Sequence, residues 1–207
     1  MTRQDWERWN NSKRYSVGTF VNSEQSVRIL AISGSLRGAS SNSALIAAAA
    51  RLALDAVEVS IYCGLAELPP FNPDLDGDSP PEAVARFRAR LRACDAVLIS
   101  SPEYAHGVSG VLKNALDWIV SSGELIDKSI ALVNASRRGT HAWASLAETL
   151  TVMSARVIVD ASITIPLDGK GLDANGIARD AELSSALKSA IDRLAIAARE
   201  TRGPRQS

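Results

Sequence analysis

Two kinds of hydrophobic pattern alternate along the chain, and together they predict its secondary structure. Short apolar runs rich in β-branched residues, such as VRILAI at 27–32 and VEVSIY at 57–62, are typical of strands. Longer segments that place apolar residues on one helical face lie between these runs. The predicted strands are 27–32, 57–62, 95–100, 129–136 and 156–163. The predicted helices are 42–54, 81–94, 109–122, 141–155 and 179–199.

Strands that alternate with helices predict an α/β domain, in which a doubly wound, five-stranded parallel sheet carries helices on both faces. Ligands of such sheets bind at the carboxyl ends of the strands. We therefore expect the polar loops after residues 32, 100 and 135, here called the first, second and third loops, to meet at one edge. Ser41 or Asn42 is the predicted N-cap of the first helix, and Ser109 is that of the helix beginning there.

Composition and charge narrow the classes of function. The 207 residues are 46% hydrophobic and 22% charged, which is ordinary for a soluble globular protein, and the formal net charge is zero. The chain lacks the basic footprint of a nucleic-acid-binding protein, so no nucleic-acid partner is predicted. No apolar run is long enough to span a membrane, and the first 26 residues lack the apolar segment of a secretory signal. We expect a cytoplasmic protein without a membrane partner.

The two cysteines give no sign of a metal site. Cys63 and Cys94 lack CxxC spacing, and no histidine cluster lies near them in the sequence. We predict that both are small buried apolar residues and that the protein holds no metal.

The ends of the chain differ from its middle. We divide the sequence into an N-terminal extension (1–26), a main domain (27–200) and a C-terminal tail (201–207). The extension has little periodicity but is rich in aromatic residues, which favours docking on the main domain or on a second subunit, with a partly disordered segment as the alternative. Its aromatic residues are Trp6, Trp9, Tyr15 and Phe20.

The first loop, GSLRGASSN at 34–42, is dense in hydrogen-bond donors. It leads into a helix, whose N-terminal N–H groups and dipole favour an anion such as a phosphate. The loop has neither the GxxxxGK[ST] pattern of a P-loop nor the GxGxxG of a dinucleotide fold. A capped turn with solvent-facing serines would have the same composition, so the loop alone leaves two interpretations open. The side chains predicted to face a phosphate are Ser33, Ser35, Arg37, Ser40, Ser41 and Asn42.

The second loop adds the more distinctive signal, PEYAHGVSGVLKNALDW at 102–118. Tyr104 and His106 carry flat side chains that suit packing beside a planar ring. Together with GSLRGASSN, this segment resembles the NADPH-dependent FMN reductase family over roughly residues 27 to 195. The family's first motif, GS-x-R-x-x-S-x-N, is filled by Gly34, Ser35, Arg37, Ser40 and Asn42. Its second motif is filled by Pro102, Glu103, Tyr104, Gly110, Leu112, Lys113, Asn114 and Asp117.

The resemblance implies a flavodoxin-like fold with strand order 2-1-3-4-5, bound FMN, NADPH or NADH as co-substrate, and a homodimer or homotetramer. It implies ping-pong electron transfer to a small-molecule acceptor such as a quinone, a flavin, an azo dye or a metal oxyanion. Because the flavin N5 would carry the chemistry, no catalytic side chain is predicted. Phosphate contacts are implied for Ser35, Arg37, Ser40, Ser41 and Asn42, and flavin-ring or ribityl contacts for Pro102, Glu103, Tyr104, Ala105, His106 and Gly107.

The third loop departs from the family pattern. Many members have a glycine-rich S-x-G-x-x-G where this chain has SRRGTH at 136–141. Ser136 and Arg137 are predicted to contact the cofactor, and either Arg137 or Arg138 could bind the flavin carbonyl edge, bind the 2′-phosphate of NADPH, or remain a solvated charge. Two other functions therefore stay open. One is a flavodoxin-like electron-transfer or redox-sensing protein without NAD(P)H turnover, and the other is a flavodoxin-like domain that binds no flavin.

Overall fold

The computed structural model describes residues 26–54 and 56–201. Apart from Ser26 and Thr201, the predicted extension and tail, including the proposed docking of the extension, lie outside these residues. The strands are β1 (Val27–Ser33), β2 (Val57–Tyr62), β3 (Ala96–Ser100), β4 (Glu103–Tyr104), β5 (Gly107–Val108), β6 (Ser129–Asn134), β7 (Arg156–Val157) and β8 (Ile163–Thr164). The α-helices are α1 (Ser41–Leu52), α2 (Glu82–Ala93), α3 (Gly110–Asp117), α4 (Thr140–Val152), α5 (Ala174–Arg179) and α6 (Ala181–Thr201).

The main sheet is parallel and has the order β2-β1-β3-β6-β7. This is the predicted order 2-1-3-4-5, with β6 fourth and β7 fifth. β3 and β6 are buried at every position because helices cover both faces of the sheet. Alternate residues of β1 enter different cores: Ile29 packs with α1, α5 and α6, whereas Leu30 packs with α2, α3 and α4. The predicted doubly wound α/β architecture is confirmed.

The fifth strand is shorter and more broken than the sequence predicts. The run 156–163 forms β7, then a 3₁₀ turn at Val159–Ala161, and then β8, which pairs with the end of β6. The Leu132 N–H donates to Ser162 Oγ at 3.0 Å, and that hydroxyl donates to the Ile158 carbonyl at 2.8 Å. A side chain thus replaces a strand neighbour at this point, which a β-branched sequence pattern cannot reveal.

Helix boundaries also differ at the ends. Ser40, rather than Ser41 or Asn42, is the N-cap of α1, and its Oγ accepts from the Ser43 N–H at 3.4 Å. Ser109 occupies the N-cap position of α3 as predicted, although α3 ends at Asp117 and continues only as turns.

The final helix predicted at 179–199 is α6, which spans Ala181–Thr201, and the short helix α5 that precedes it was not predicted. Cys94 is buried as predicted, but Cys63 is exposed, so that prediction was wrong for Cys63. Across the described ranges, no helix is long and apolar enough to cross a membrane.

Candidate active site

The first and second loops are locked together at the carboxyl edge of the sheet. The Gly34 N–H donates to the Ser100 carbonyl at 2.8 Å, and Ser100 Oγ donates to Asn42 Oδ1 at 2.8 Å. A Cβ at position 34 would lie 2.8 Å from Ser101 Oγ and 3.0 Å from Ser109 Oγ. Such contacts are too short, so any side chain at position 34 would displace these two serines, and glycine allows the close approach of the loops.

Two serines of the first loop accept hydrogen bonds through their hydroxyl oxygens, which leaves their hydroxyl protons available to a ligand. Ser35 Oγ accepts from the Arg37 N–H at 3.3 Å, and Ser40 Oγ accepts from the helix. A hydroxyl has one proton and two acceptor positions, so both serines can still donate to an anion. The Ser33 hydroxyl instead shares a 2.9 Å hydrogen bond with the Ser43 hydroxyl and accepts from the Ser35 N–H at 3.3 Å. Ser33 therefore stabilises the loop conformation.

The amino end of α1 supplies further donors. The first backbone hydrogen bond of the helix is donated by the Ala44 N–H to the Ser40 carbonyl, at 2.8 Å. Within residues 26–54 and 56–201, no acceptor is paired with the N–H groups of Ser41 and Asn42, as expected for the first turn of a helix. These N–H groups and the helix dipole suit the binding of an anion. The Asn42 side chain is buried on Ser100, so it fixes the loop to β3.

The second loop is a β-hairpin, which the sequence reasoning missed. β4 and β5 pair antiparallel around a two-residue turn in which Ala105 (φ 49°) and His106 (φ 60°) both have positive φ. Two such residues match the twist of a tight hairpin. Tyr104, at 55% exposure, and His106 are thereby presented at the edge of the sheet.

Two contacts fix the hairpin to α4. Glu103 Oε2 accepts from the Ala142 N–H at 2.8 Å, which places a carboxylate at the positive end of that helix. The imidazoles of His106 and His141, the two histidines of the chain, stack with centroids 4.1 Å apart and planes at 17°. Glu103 is therefore a brace between the second and third loops. Sequence spacing gave no sign of these contacts, because residues 103 and 142 meet only in the folded chain.

The third loop is held from inside by amide and hydroxyl groups. Asn134 accepts from the Ser136 N–H at 3.1 Å and donates to the Gly139 carbonyl at 3.2 Å. Ser136 Oγ donates to Asp168 Oδ1 at 2.8 Å, and the Arg138 guanidinium lies 3.4 Å from the same oxygen. The Ser136 hydroxyl, with a smaller contribution from Arg138, lowers the pKa of the Asp168 carboxyl. Arg137 is exposed.

Two residues of the second sequence motif serve as scaffold. Asn114 accepts from the Phe71 N–H at 2.7 Å and donates to the Pro69 carbonyl at 2.9 Å, which Trp118 Nε1 also reaches at 2.8 Å. Lys113 pairs with Asp117 along α3 at 2.5 Å. Asn114 thus anchors the segment around residue 70 rather than projecting toward the loops.

The donor set at this edge fits FMN. Spare hydroxyl protons and helix N–H groups suit the phosphate, and the exposed hairpin presents flat groups beside them. The Ser109 hydroxyl, buried between these loops, has no hydrogen-bond partner in the described part of the chain. Over the same residues, no three His, Cys, Asp or Glu side chains gather as a metal site.

Comparison with known proteins identifies the family. A family model for NADPH-dependent FMN reductases matches residues 27–169. The chain belongs to this family. The NAD(P)H-dependent FMN reductase PA1204 of Pseudomonas aeruginosa is 32% identical over 182 residues, which span 86% of this chain and 98% of that protein. The probable NADPH:quinone oxidoreductase 2 of Oryza sativa subsp. japonica is 41% identical over 118 residues, 55% of this chain and 58% of that protein.

Similarity to a solved structure agrees with this family assignment. FerB of Paracoccus denitrificans, a flavoenzyme NAD(P)H:(acceptor) oxidoreductase, superposes with a TM-score of 0.73 at 26% identity. The match covers 84% of this chain and 98% of FerB. The predicted FMN cofactor, NAD(P)H co-substrate and oxidoreductase activity are thereby confirmed.

Proposed function

We propose that this FMN reductase family member passes electrons from NAD(P)H to quinones in a ping-pong cycle, with both substrates using one open face of the site. The observation that carries the proposal is the first loop, where serine hydroxyls and α1 N–H groups retain donors for a phosphate. When bound, FMN supplies the hydride acceptor and the electron donor. The chain's own groups bind it, orient it and leave one face accessible.

The proposed phosphate contacts are the hydroxyls of Ser35 and Ser40, the N–H groups of Ser41 and Asn42, and the Arg37 guanidinium. Nothing among the described residues pairs with that guanidinium, so its charge is available to an anion. The proposed flavin-ring and ribityl contacts are Pro102, Glu103, Tyr104, Ala105, His106, Gly107 and Ser136. Within this set, Glu103 acts through the position of the hairpin, because its carboxylate is bonded to α4.

Quinones are the proposed acceptors on two grounds. The rice relative is named a probable NADPH:quinone oxidoreductase, and a relative from Pseudomonas putida, 39% identical over 89 residues, is named a quinone reductase. Exposed Tyr104 and His106 also give planar surfaces on which an aromatic acceptor can pack. A cytoplasmic location is proposed with this activity, because reduced nicotinamides are made and consumed there.

We further propose that two copies pair through the groove between α3 and α4. This groove, of about 460 Å³, exposes Val120 (61%), Ile126 (59%) and Val152 (75%). Lys113, Asp117 and Glu148 also line it, but Lys113 pairs with Asp117 within one copy, so the exposed apolar side chains carry the proposed pairing. Analytical ultracentrifugation of the Val152→Asp variant should show monomers if this surface pairs the copies. A dimer or tetramer unaffected by Val152→Asp would place the interface elsewhere.

Steady-state and rapid-mixing kinetics test the activity. Protein reconstituted with FMN should lose its yellow colour on anaerobic mixing with NADPH or NADH and regain it on adding a soluble benzoquinone. Initial rates at varied NAD(P)H and quinone should give parallel double-reciprocal lines. Yellow protein that NAD(P)H does not bleach would support an electron-transfer role instead. Protein that takes up no FMN would support a flavodoxin-like domain with another ligand.

A further inference from the structure

The two arginines of the third loop have different surroundings. Arg138 shares Asp168 with Ser136, so a carboxylate lies 3.4 Å from its guanidinium. No ion pair or hydrogen bond joins the side chain of Arg137 to any residue that the structure describes, and the side chain is exposed. A second anion would be repelled by the carboxylate beside Arg138 but would meet an uncompensated charge at Arg137.

The backbone around Arg137 is held in place, so this side chain is presented from a fixed base. The Asn134 side chain accepts from the Ser136 N–H at 3.1 Å, and Ser136 Oγ accepts from the Arg138 N–H at 3.2 Å. The Gly139 N–H closes the turn on the Ser136 carbonyl at 3.4 Å. Because the loop is bonded internally, little backbone ordering remains to oppose binding at Arg137.

From these observations we propose that Arg137 recognises the 2′-phosphate of NADPH and makes the enzyme prefer NADPH to NADH. This inference rests on the proposed function, because it concerns the same open face. A guanidinium offers two parallel N–H donors to a phosphate, which gives a strong, geometrically defined contact. NADH has a hydroxyl at the 2′ position and gains no ionic contact there. The preference should therefore be expressed in KM, with similar turnover for the two nucleotides.

Arg37 is the competing candidate, because its guanidinium is also unpaired among the described groups. It belongs to the first loop, beside the proposed FMN phosphate, so a bound flavin would use its charge. Arg137 lies two strands away along the sheet, beyond β3. This separation assigns Arg37 to the flavin and Arg137 to the nicotinamide nucleotide.

The test compares kcat/KM for NADPH and NADH in FMN-loaded Arg137→Ala, Arg37→Ala and Arg138→Ala enzymes. Arg179→Ala, which removes an exposed charge on α5, is the matched control. We expect Arg137→Ala to lower kcat/KM for NADPH about 10- to 100-fold through KM, to change NADH less than about threefold and to leave FMN affinity intact. A loss of NADPH preference in Arg37→Ala or Arg138→Ala, but not in Arg137→Ala, would overturn the assignment, as would equal losses with the two nucleotides.

A binding measurement supplies an independent readout. Adenosine 2′,5′-bisphosphate should compete with NADPH in the parent enzyme more strongly than adenosine 5′-diphosphate does, and this difference should vanish in Arg137→Ala. If the parent enzyme oxidises NADPH and NADH equally well, this inference fails while the proposed function stands. If it oxidises neither while holding FMN, the proposed function itself fails.

Discussion

Polar groups are used differently at the carboxyl edge of the sheet and on the flank between α2 and α3. On this flank, Arg88 donates to Asp76 and to the Trp118 carbonyl, and the buried Glu124 accepts from Arg92 at 2.7 Å. Each buried charge meets a partner from another segment, so nothing is left for a ligand.

At the carboxyl edge the opposite holds. Ser35 and Ser40 accept hydrogen bonds from the chain but keep their protons, and the first N–H groups of α1 remain unpaired within the described chain. Polar groups with every hydrogen bond satisfied give structural support here, whereas those with donors left over lie at the proposed binding site. Substitutions in the two regions should therefore change different measurements.

The largest effect should come from Asp76→Ala on the α2–α3 flank. Asp76 and Arg88 side chains are each only 8% exposed, so removing the carboxylate leaves a buried, uncompensated guanidinium. We expect a loss of about 3 kcal/mol in the free energy of unfolding, measured by urea denaturation, with little change in the FMN affinity of the folded protein. If FMN affinity fell while the free energy of unfolding stayed constant, Asp76 would act in ligand binding rather than in structural support.

The same carboxylate predicts a pH dependence. Hydrogen bonds from Ser121 and Arg88 lower the pKa of Asp76 below its ordinary value. The native state therefore favours the ionised form, and this stabilisation is present at neutral pH and is lost as the pH falls below about 4. The stability gap between the parent protein and Asp76→Asn should narrow on acidification through that range.

The second effect is on flavin binding. Replacing Ser35 and Ser40 together by alanine removes two hydroxyl donors, so we expect FMN affinity to fall about 10- to 30-fold. Loss of the Ser40 N-cap should also cost about 1 kcal/mol of stability. Fluorescence titration of FMN measures the first change, with Ser145→Ala on α4 as a control of the same chemistry. An unchanged dissociation constant for FMN would indicate that the first loop is a capped turn that does not bind the phosphate.

A smaller effect is expected for Glu103→Ala. Losing the bond to the Ala142 N–H at the α4 terminus should cost about 1 kcal/mol of stability and weaken FMN binding a few-fold, because the hairpin loosens. Glu103→Gln retains an acceptor and should recover most of both. A hundredfold loss of turnover in FMN-loaded Glu103→Gln would show that the carboxylate takes part in proton transfer instead.

The smallest effect is predicted for Tyr104→Phe. The side chain is 55% exposed, and the described structure gives its hydroxyl no hydrogen bond, so it contributes mainly a flat surface. Turnover should stay within about twofold of the parent enzyme. Abolished turnover with FMN still bound would assign the phenol a catalytic role.

The sequence predicted the strands, the helices and the three loops because long buried strands and polar loops leave strong local patterns, and the family resemblance implied the sheet order. It also selected the serines of the first loop, since their type and position before a helix already express the chemistry. It missed the β4–β5 hairpin because Ala105 and His106 carry positive φ without the usual Asn-Gly signal. Supporting roles for Glu103 and Asn114 could be inferred from the sequence, but their partners could not, because these lie 39 and 43 residues away along the chain.

The broken fifth strand changes how readily another chain could pair with the outer edge of the sheet. A continuous outer strand at 156–163 would offer a row of unpaired N–H and carbonyl groups to any passing chain. The 3₁₀ turn at Val159–Ala161 interrupts that row, and the Ser162 hydroxyl occupies the position from which an eight-residue strand would have bonded Leu132. Ser162 therefore shortens the strand edge that another chain could pair with at this side of the sheet.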